Sequence, residues 1–467
     1  MKTSLTGLRD AVRSQLWPLP LAAVLAALVV GLFLPRVDAA VDKDLPGWLT
    51  GVTFGGDADA ARTLLAAVSS SLITVTALTF SLTVVTLQLA SSQFSPRLLR
   101  TFTSDVFVQG TLALFLATFT YSLTVLRSVR SSDATLAEFV PRLSVTLSFL
   151  LAVGGVVMLV VFLSHLTRQI RVETMLRDVH ADATATIQTT LGEASSSKFT
   201  DTYEQREDGN RDLGVDAVPP TPNHAFTVLA PSSGFLARLD HRTLLEACID
   251  LDVVIVLDRQ MGSSLVEGTP LGSAWSTADT SSTTVSRAVQ ERLLKSVHTG
   301  FERTAIQDIS YGLRQLTDVA NKALSPGVND TTTAVHALGH ISALLCEIAA
   351  HDLGPLLLRD KNQQVRVVLP RPELSDLIDV AITQPRRYGA ADPQVMQRLF
   401  QLLSELAWHC NPAQRPTVSA ELERLVATVH AQDFDSHERS QLDHAAHQVI
   451  DALDSSDPPP RHTTGRT

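Results

Sequence analysis

From Ser69 to Arg100 the chain reads SSSLITVTALTFSLTVVTLQLASSQFSPRLLR, an apolar run long enough to cross a bilayer, with hydroxyl and amide side chains at regular steps. Ser70, Thr74, Ser81, Gln88 and Ser92 form one line; Thr76, Thr79, Thr83 and Thr86, continued by Gln93, form another. At about 100° per residue the two lines fall on opposite faces of one helix. Hydroxyl and amide groups repeated around an axis can line a pore. They also serve plain packing, because Ser and Thr pack closely and bond back to their own helix carbonyls. A carboxamide is harder than a threonine to leave in lipid or in a dry contact. The Ser81–Gln88–Ser92 side is therefore the expected water-facing line, and the Thr76–Thr86 side the expected packing line. Arg97 and Arg100 follow at the end of the run. In an oligomer they form a basic ring at the inner mouth, whose field favours anions; they equally fit ordinary anchoring on the positive side of a membrane.

A second group of polar residues lies far along the chain. Arg303, Gln307, Arg314 and Asp318 recur at steps of three or four along a helix expected over 302–324, opposite Ile306, Ile309, Leu313, Leu316, Ala320 and Leu324. This face reads as a ligand pocket, a subunit interface, or a solvated salt-bridged surface. His336 and His340 have the i, i+4 spacing of a metal pair, but no acid accompanies them in an HExxH pattern, so no metal site is assigned. Cys248, Cys346 and Cys410 form no CxxC and no disulfide framework, and each reads as a small buried hydrophobe. A phosphate loop, a nucleophile elbow and paired catalytic carboxylates are all missing, and the spans hold only His165, at an end. The expectation is no catalytic residue, no cofactor and no enzyme. Net charge of −10 and a pI near 5.8 argue against a nucleic-acid partner.

The elements that must hold these residues follow from hydropathy. Four stretches, 16–34, 63–90, 107–126 and 145–166, are apolar over about the 20 residues a bilayer needs. The first, with its early prolines Pro18 and Pro20 and the run Asp38-Ala39-Ala40, also loosely resembles a signal peptide, but three more spans favour an uncleaved one. Lys2, Arg9 and Arg13 precede span one, Arg97 and Arg100 follow span two, and Arg168, Arg171 and Arg177 follow span four. Acidic residues (Asp38, Asp42, Asp44, Asp57, Asp59) cluster between spans one and two, whereas the connection between spans three and four is mixed. This distribution puts both termini in the cytoplasm. Span four is expected to continue without a break to Leu191, since no Pro or Gly intervenes after Gly155.

The expected organisation is a membrane domain over 1–170, a helical extension and linker over 171–221, a small β domain over 222–276, a mainly helical domain over 284–453, and a disordered tail over 454–467. The fold class is an α-helical integral membrane protein with four spans and a cytoplasmic α+β region. Residues 225–274 resemble a biotinyl/lipoyl-type barrel-sandwich module, on Pro231-Ser232-Ser233-Gly234-Phe235-Leu236 and on the spacing of Gly262, Leu265, Gly268 and Leu271. That module's modified lysine is missing, so the resemblance implies the fold and no cofactor. Asp330 is the expected N-cap of a helix from Thr331 to Ala350, and PLLLRD and VRVVLP an expected hairpin with Lys361-Asn362 near its turn.

Three runs carry a wider resemblance: Leu87-Gln88-Leu89-Ala90-Ser91-Ser92-Gln93-Phe94-Ser95-Pro96-Arg97, Gln307-Asp308, and Ala323-Leu324-Ser325-Pro326-Gly327-Val328-Asn329-Asp330. With them the chain resembles the bacterial membrane proteins catalogued as domain-of-unknown-function family 2254, departing at Thr331, where the family tends to have Pro. The resemblance implies an integral protein of the bacterial inner membrane and carries no established activity. The polar second span leads to one functional expectation: a homo-oligomeric channel or pore-like conduit for small ions, assembled or gated by the cytoplasmic region. The alternative is a non-transporting scaffold or sensor whose cytoplasmic part binds a ligand or protein. Expected partners are the lipid bilayer, further copies of the chain and small ions.

Overall fold

The computed structural model describes residues 17–41, 53–93, 105–131, 139–169, 171–195, 218–277 and 283–455. The chain divides into two compact units, residues 1–174 and 175–467.

The first unit contains four long helices: α1 (Pro18–Val41), α2 (Ala58–Gln93), α3 (Val106–Leu126) and α4 (Arg142–Gln169). Each outlasts or matches its expected span. At a rise of about 1.5 Å per residue, the 36 residues of α2 extend about 54 Å, well beyond a hydrocarbon core of about 30 Å. Helix α3 packs against all three others. It buries half of its apolar window, 50%, against 17% to 22% for the other three. The bundle is closed near one end by Ala61, Leu65, Tyr121, Val125 and Val145, and near the other by Val108, Leu112 and Phe162. Large apolar side chains such as Leu25, Phe33, Leu78, Phe80, Val156 and Val160 point outward, as a lipid-facing surface requires.

Two carboxylates brace this bundle. Asp38, buried on α1, accepts from the backbone N–H groups of Leu143 and Ser144 (3.0 Å each) and from the Ser144 hydroxyl at 2.6 Å. The free N–H groups and positive dipole end of α4 thus hold the charge. Asp38-Ala39-Ala40, with its loose look of a cleavage site, therefore lies inside continuous helix, and Asp38 ties α1 to α4. Asp105 caps α3 at Phe107 N (2.8 Å) and meets His165 Nε2 of α4 at 2.6 Å.

The continuous helix expected through Leu191 is interrupted. Helix α4 stops at Gln169, Arg171 N turns back to Arg168 O, an i−3 bond that ends the i−4 ladder, and α5 (Val172–Ser195) starts anew.

In the second unit α5 leads to β1 (Phe226–Leu229), β2 (Gly234–Leu239), α6 (His241–Asp250), β3 (Val253–Leu257), β4 (Ser264–Leu265), β5 (Pro270–Ser276), α7 (Thr283–Ser296) and β6 (Val297–Gly300). Then come α8 (Ile309–Ala323), α9 (Thr331–Ala349), β7 (Leu356–Arg359), β8 (Val365–Leu369), α10 (Leu374–Tyr388), α11 (Pro393–His409), α12 (Arg415–His430) and α13 (Ser436–Asp454). The strands make two sheets, β1-β5-β3-β8-β7 and β4-β2-β6. All pairs are antiparallel except β3 with β8. Both sheets share one core with α6 and α7: Leu236, Leu244, Ile255, Leu271, Leu293 and Val367 meet in it.

This differs from a barrel-sandwich confined to 222–276. Helix α6 separates β2 from β3, and the sheets are completed by β6, β7 and β8 from the expected helical region. The physical reason is edge coverage. Strand β3 is buried on both sides, and its free edge is satisfied by β8, more than a hundred residues later in the chain. The turn glycines behave as their spacing suggests: Gly234, Gly262 and Gly268 have φ of 139°, 79° and 78°. The hairpin β7–β8 and the Asp330 cap of α9, through Thr333 N at 3.0 Å, match the sequence reading.

The long helix over 302–324 does not form as such. Helix α8 begins at Ile309, with Asp308 accepting from Ser310 N at 3.1 Å. Asp308 is an N-cap, and it ends the helix where periodicity alone would extend it. Ile306, placed on the apolar face by periodicity, is exposed.

Among the described residues five helices are long and apolar enough to cross a membrane. The fifth, α9, packs in the helical bundle of the second unit against α8 and α11, with Ala337, Leu338, Ile341, Leu344 and Leu345 fully enclosed.

Candidate functional site

The two polar lines of α2 have opposite environments. Thr76, Thr79, Thr83 and Thr86 are buried among α3 and α4. Thr76, Thr83 and Thr86 donate to the carbonyls of Leu72, Thr79 and Leu82 at 2.6, 2.8 and 2.9 Å, the back-bonding of a hydroxyl in a dry helix contact. The facing helices are hydroxylated too: Thr111 and Thr118 bond back to Phe107 and Leu114, and Ser122 shares a 2.7 Å bond with Ser148. The interior of the bundle is thus polar in composition, and nearly all of these hydroxyls bond within it. Thr79 is the exception, its buried hydroxyl having no partner among the described residues.

On the other side Ser70, Thr74, Ser81 and Gln88 are exposed. They span an arc of only about 40°. Ile73, Phe80 and Val84 flank them on one side, Leu78, Val85 and Leu89 on the other, all exposed. Thr74 bonds back to Ser70 O at 3.0 Å. The side chains of Ser81 and Gln88 have no hydrogen-bond partner among the described residues. The side chain of Ser92 and the whole of Arg97 and Arg100 lie outside the described residues.

The second candidate group is not one face. Arg303 lies before α8, where its guanidinium bonds Asp308 at 2.6 and 3.0 Å and Ser310 Oγ at 2.9 Å. Gln307 brackets one residue of the small sheet, accepting from Leu239 N at 2.8 Å and donating to Leu239 O at 3.1 Å. Arg314 and Asp318 remain one turn apart and half-buried on α8. The shared face fails because the i+3 and i+4 steps cross a helix start.

His336 is exposed, and the His340 ring meets that of His180 of α5 at 5.1 Å, tilted by 59°. Desolvation, then the neighbouring imidazoles His180 and His336, hold His340 below the ordinary histidine range. Among the described residues no group of three His, Cys, Asp or Glu could hold a metal ion. All three cysteines are buried, and burial pushes each thiol up to about 12, so they are poor nucleophiles.

Sequence reasoning missed the braces Asp38–Ser144 and Asp105–His165. Their signal was present: a carboxylate or imidazole at the end of an apolar stretch needs a partner, and helix N-termini are the partners a bundle offers.

Comparison with known proteins agrees with this architecture. The chain is 33% identical over 462 residues to uncharacterized proteins of Mycobacterium bovis and Mycobacterium tuberculosis, covering 97% of this chain and 84% of each relative. No solved structure matches it significantly. The model of one family, described as predicted membrane protein (DUF2254), matches residues 13–405. With its apolar helical bundle and this match along most of its length, the chain belongs to that family of membrane proteins.

Proposed function

We propose that the chain is one subunit of a homo-oligomeric membrane channel, or pore-like conduit, for small ions. In this reading α2 turns its Ser70–Thr74–Ser81–Gln88 line toward the axis, and Ser92 continues that line. Arg97 and Arg100 sit at the inner mouth, and the second unit assembles or gates the pore. The observation that carries the reading is the pair Ser81 and Gln88, exposed on a membrane-length helix and without a side-chain hydrogen-bond partner among the described residues. A primary amide left in hydrocarbon costs several kcal/mol, so water or another copy is the physical alternative. The apolar flanks on either side of the line suit helix–helix seams around such an axis. Four spans, both termini in the cytoplasm and a location in the bacterial inner membrane complete the reading, supported by Arg168 in the last turn of α4 with Arg171 and Arg177 beyond it, and by Asp57 just before α2 with Asp59 in its first turn. It assigns no catalytic centre, cofactor or metal.

The test is ion flux through liposomes carrying the purified protein, with Gln88→Leu and Ser81→Ala. The expected result is altered flux in at least the first. Unchanged flux in both rejects this pore lining, and a monomeric protein rejects the channel. A non-transporting sensor is the second reading, favoured by the cation-rimmed cavity of the second unit described next.

A further inference from the structure

The second unit contains a part-open pocket of about 50 Å³ between the end of α5, the two sheets and the segment after β8. A site for one water needs about 10–15 Å³ on the same measure, so the space holds a body of a few heavy atoms. Its walls are apolar: Leu191, Leu236, Leu239, Leu257, Leu356 and Leu369 all contribute. Its polar rim is basic. Arg371 and Arg259 reach it, and the one carboxylate in the lining, Asp308, is already held by two bonds from Arg303.

Arg371 is the unusual member. It is half-buried, fixed between Pro370 and Pro372, and its guanidinium has a single hydrogen bond, Nη2 to Thr190 O at 3.1 Å. No carboxylate among the described residues lies within ion-pair distance of it. A guanidinium has five N–H donors in a planar fork matched to a carboxylate. Other arginines of the unit hold more acceptors: Arg366 bonds Asp360 and Asp252, both at 2.8 Å, Arg386 faces Glu421 at 3.5 Å, and Arg415 donates to the carbonyls of Leu453 and Ser455, both at 3.0 Å. Burial without a countercharge holds Arg371 below the ordinary arginine value, opposed only by the more distant Asp352.

We infer that this cavity binds a short-chain monocarboxylate, with the carboxylate on the free donors of Arg371 and a tail of two or three carbons among the leucines. A bare inorganic anion would leave the apolar wall unused, and a neutral molecule would leave the cation unpaired. A long fatty acid exceeds the volume. The site has Thr190 and Leu191 of α5 in its wall, so an occupant is sensed by the helix that follows α4 in the chain. This inference goes beyond the channel reading and does not rest on it, because its readout is binding.

The test is thermal unfolding of the full-length protein in detergent with sodium acetate, propionate, butyrate and octanoate, against butyramide and against sodium chloride at equal ionic strength. The expected result is a saturable rise of about 2 °C or more with propionate or butyrate, absent with butyramide and chloride and smaller with octanoate. Arg371→Gln abolishes the rise, and Arg371→Lys retains part of it. Equal shifts across the acid series, an equal shift with butyramide, or a folded Arg371→Gln protein that keeps the butyrate shift would each overturn the site. The acid series on the native protein decides the matter even where Arg371→Gln does not fold.

Discussion

The two units share one means of satisfying polar groups and differ in what they add to it. In the first, hydroxyls bond back to carbonyls four residues earlier, and carboxylates go to helix N-termini, as Asp38 and Asp105 do. In the second, Asp330 and Asp392 cap helices in the same way, but carboxylates also go to arginines across the fold, as in Arg366–Asp252 and in Glu421 between Arg386 and Arg424. Without water, backbone donors are the partners that a helix bundle always has at hand, whereas a protein in water can recruit long side chains from distant elements. The contrast teaches that a polar group in the first unit with neither kind of partner stands apart. Among the described residues Ser81 and Gln88 are such groups.

The sharpest way to break the comparison is Asp38→Ala. It removes three hydrogen bonds to a buried carboxylate and strips the N-terminus of α4 of its countercharge. Charge-assisted bonds contribute about 1.5–3 kcal/mol each, not additively, so a loss on the order of 4 kcal/mol is expected in reversible unfolding in bicelles. A loss below about 1 kcal/mol would mean that the helix terminus is not the partner that matters.

In the second unit the counterpart is Glu421→Ala. Glu421 is 2% exposed, 2.7 Å from Arg424 and 3.5 Å from Arg386. Removing one partner of a buried pair costs about 3 kcal/mol, because it leaves the mostly buried Arg386 uncompensated. Burial raises the folded pKa of Glu421 against the pull of both arginines. Its contribution is therefore largest below the ordinary carboxylate range and declines as pH rises through the raised value. Glu421→Gln should accordingly be less damaging than Glu421→Ala near neutral pH, as read by chemical denaturation followed through the tryptophans.

How much of this was legible before the fold was known differs by element. The spans, the α9 cap and the β7–β8 hairpin follow from local patterns: apolar length, an Asp before a helical run, alternating residues around a turn. The sheet did not, because β3 takes β8 as its neighbour at a separation that no local pattern encodes. Helix α6 is short and lies between strands whose alternation masks it, though Asp240 caps it. Arg303 and Gln307 were misplaced because the N-cap role of Asp308 competes with an extended helical period, and the cap wins. In α2 the periodicity separates two lines, and the structure gives them different surroundings; what lies against the exposed line is not encoded in one subunit.

A smaller effect is expected at Asp330. The Thr333 hydroxyl, then its N–H, holds the Asp330 carboxyl below the usual range. The unfolded chain binds the proton more readily, so this stabilisation is complete above the ordinary carboxylate pKa and disappears as pH falls through the lowered value. Asp330→Ala should cost about 1 kcal/mol at neutral pH and progressively less as pH falls below the ordinary carboxylate range. A cost independent of pH would assign the loss to something other than the charged cap.

The smallest effects separate the two lines of α2 most cleanly. Thr83 and Ser81 are two residues apart, one buried and one exposed. Thr83→Val keeps the shape and loses a hydroxyl whose acceptor, Thr79 O, lies in the helix's own carbonyl ladder. The expected cost to unfolding of the subunit is about 0.5 kcal/mol. Ser81→Val removes a hydroxyl with no hydrogen-bond partner among the described residues, so unfolding of the isolated subunit should not change. If the proposed channel is right, its effect appears in the dissociation equilibrium of the oligomer, measured by subunit exchange in detergent, or in the flux of ions through it. If Ser81→Val destabilises the monomer as much as Thr83→Val and leaves both association and flux untouched, the two lines are equivalent and the exposed one is only another packing face.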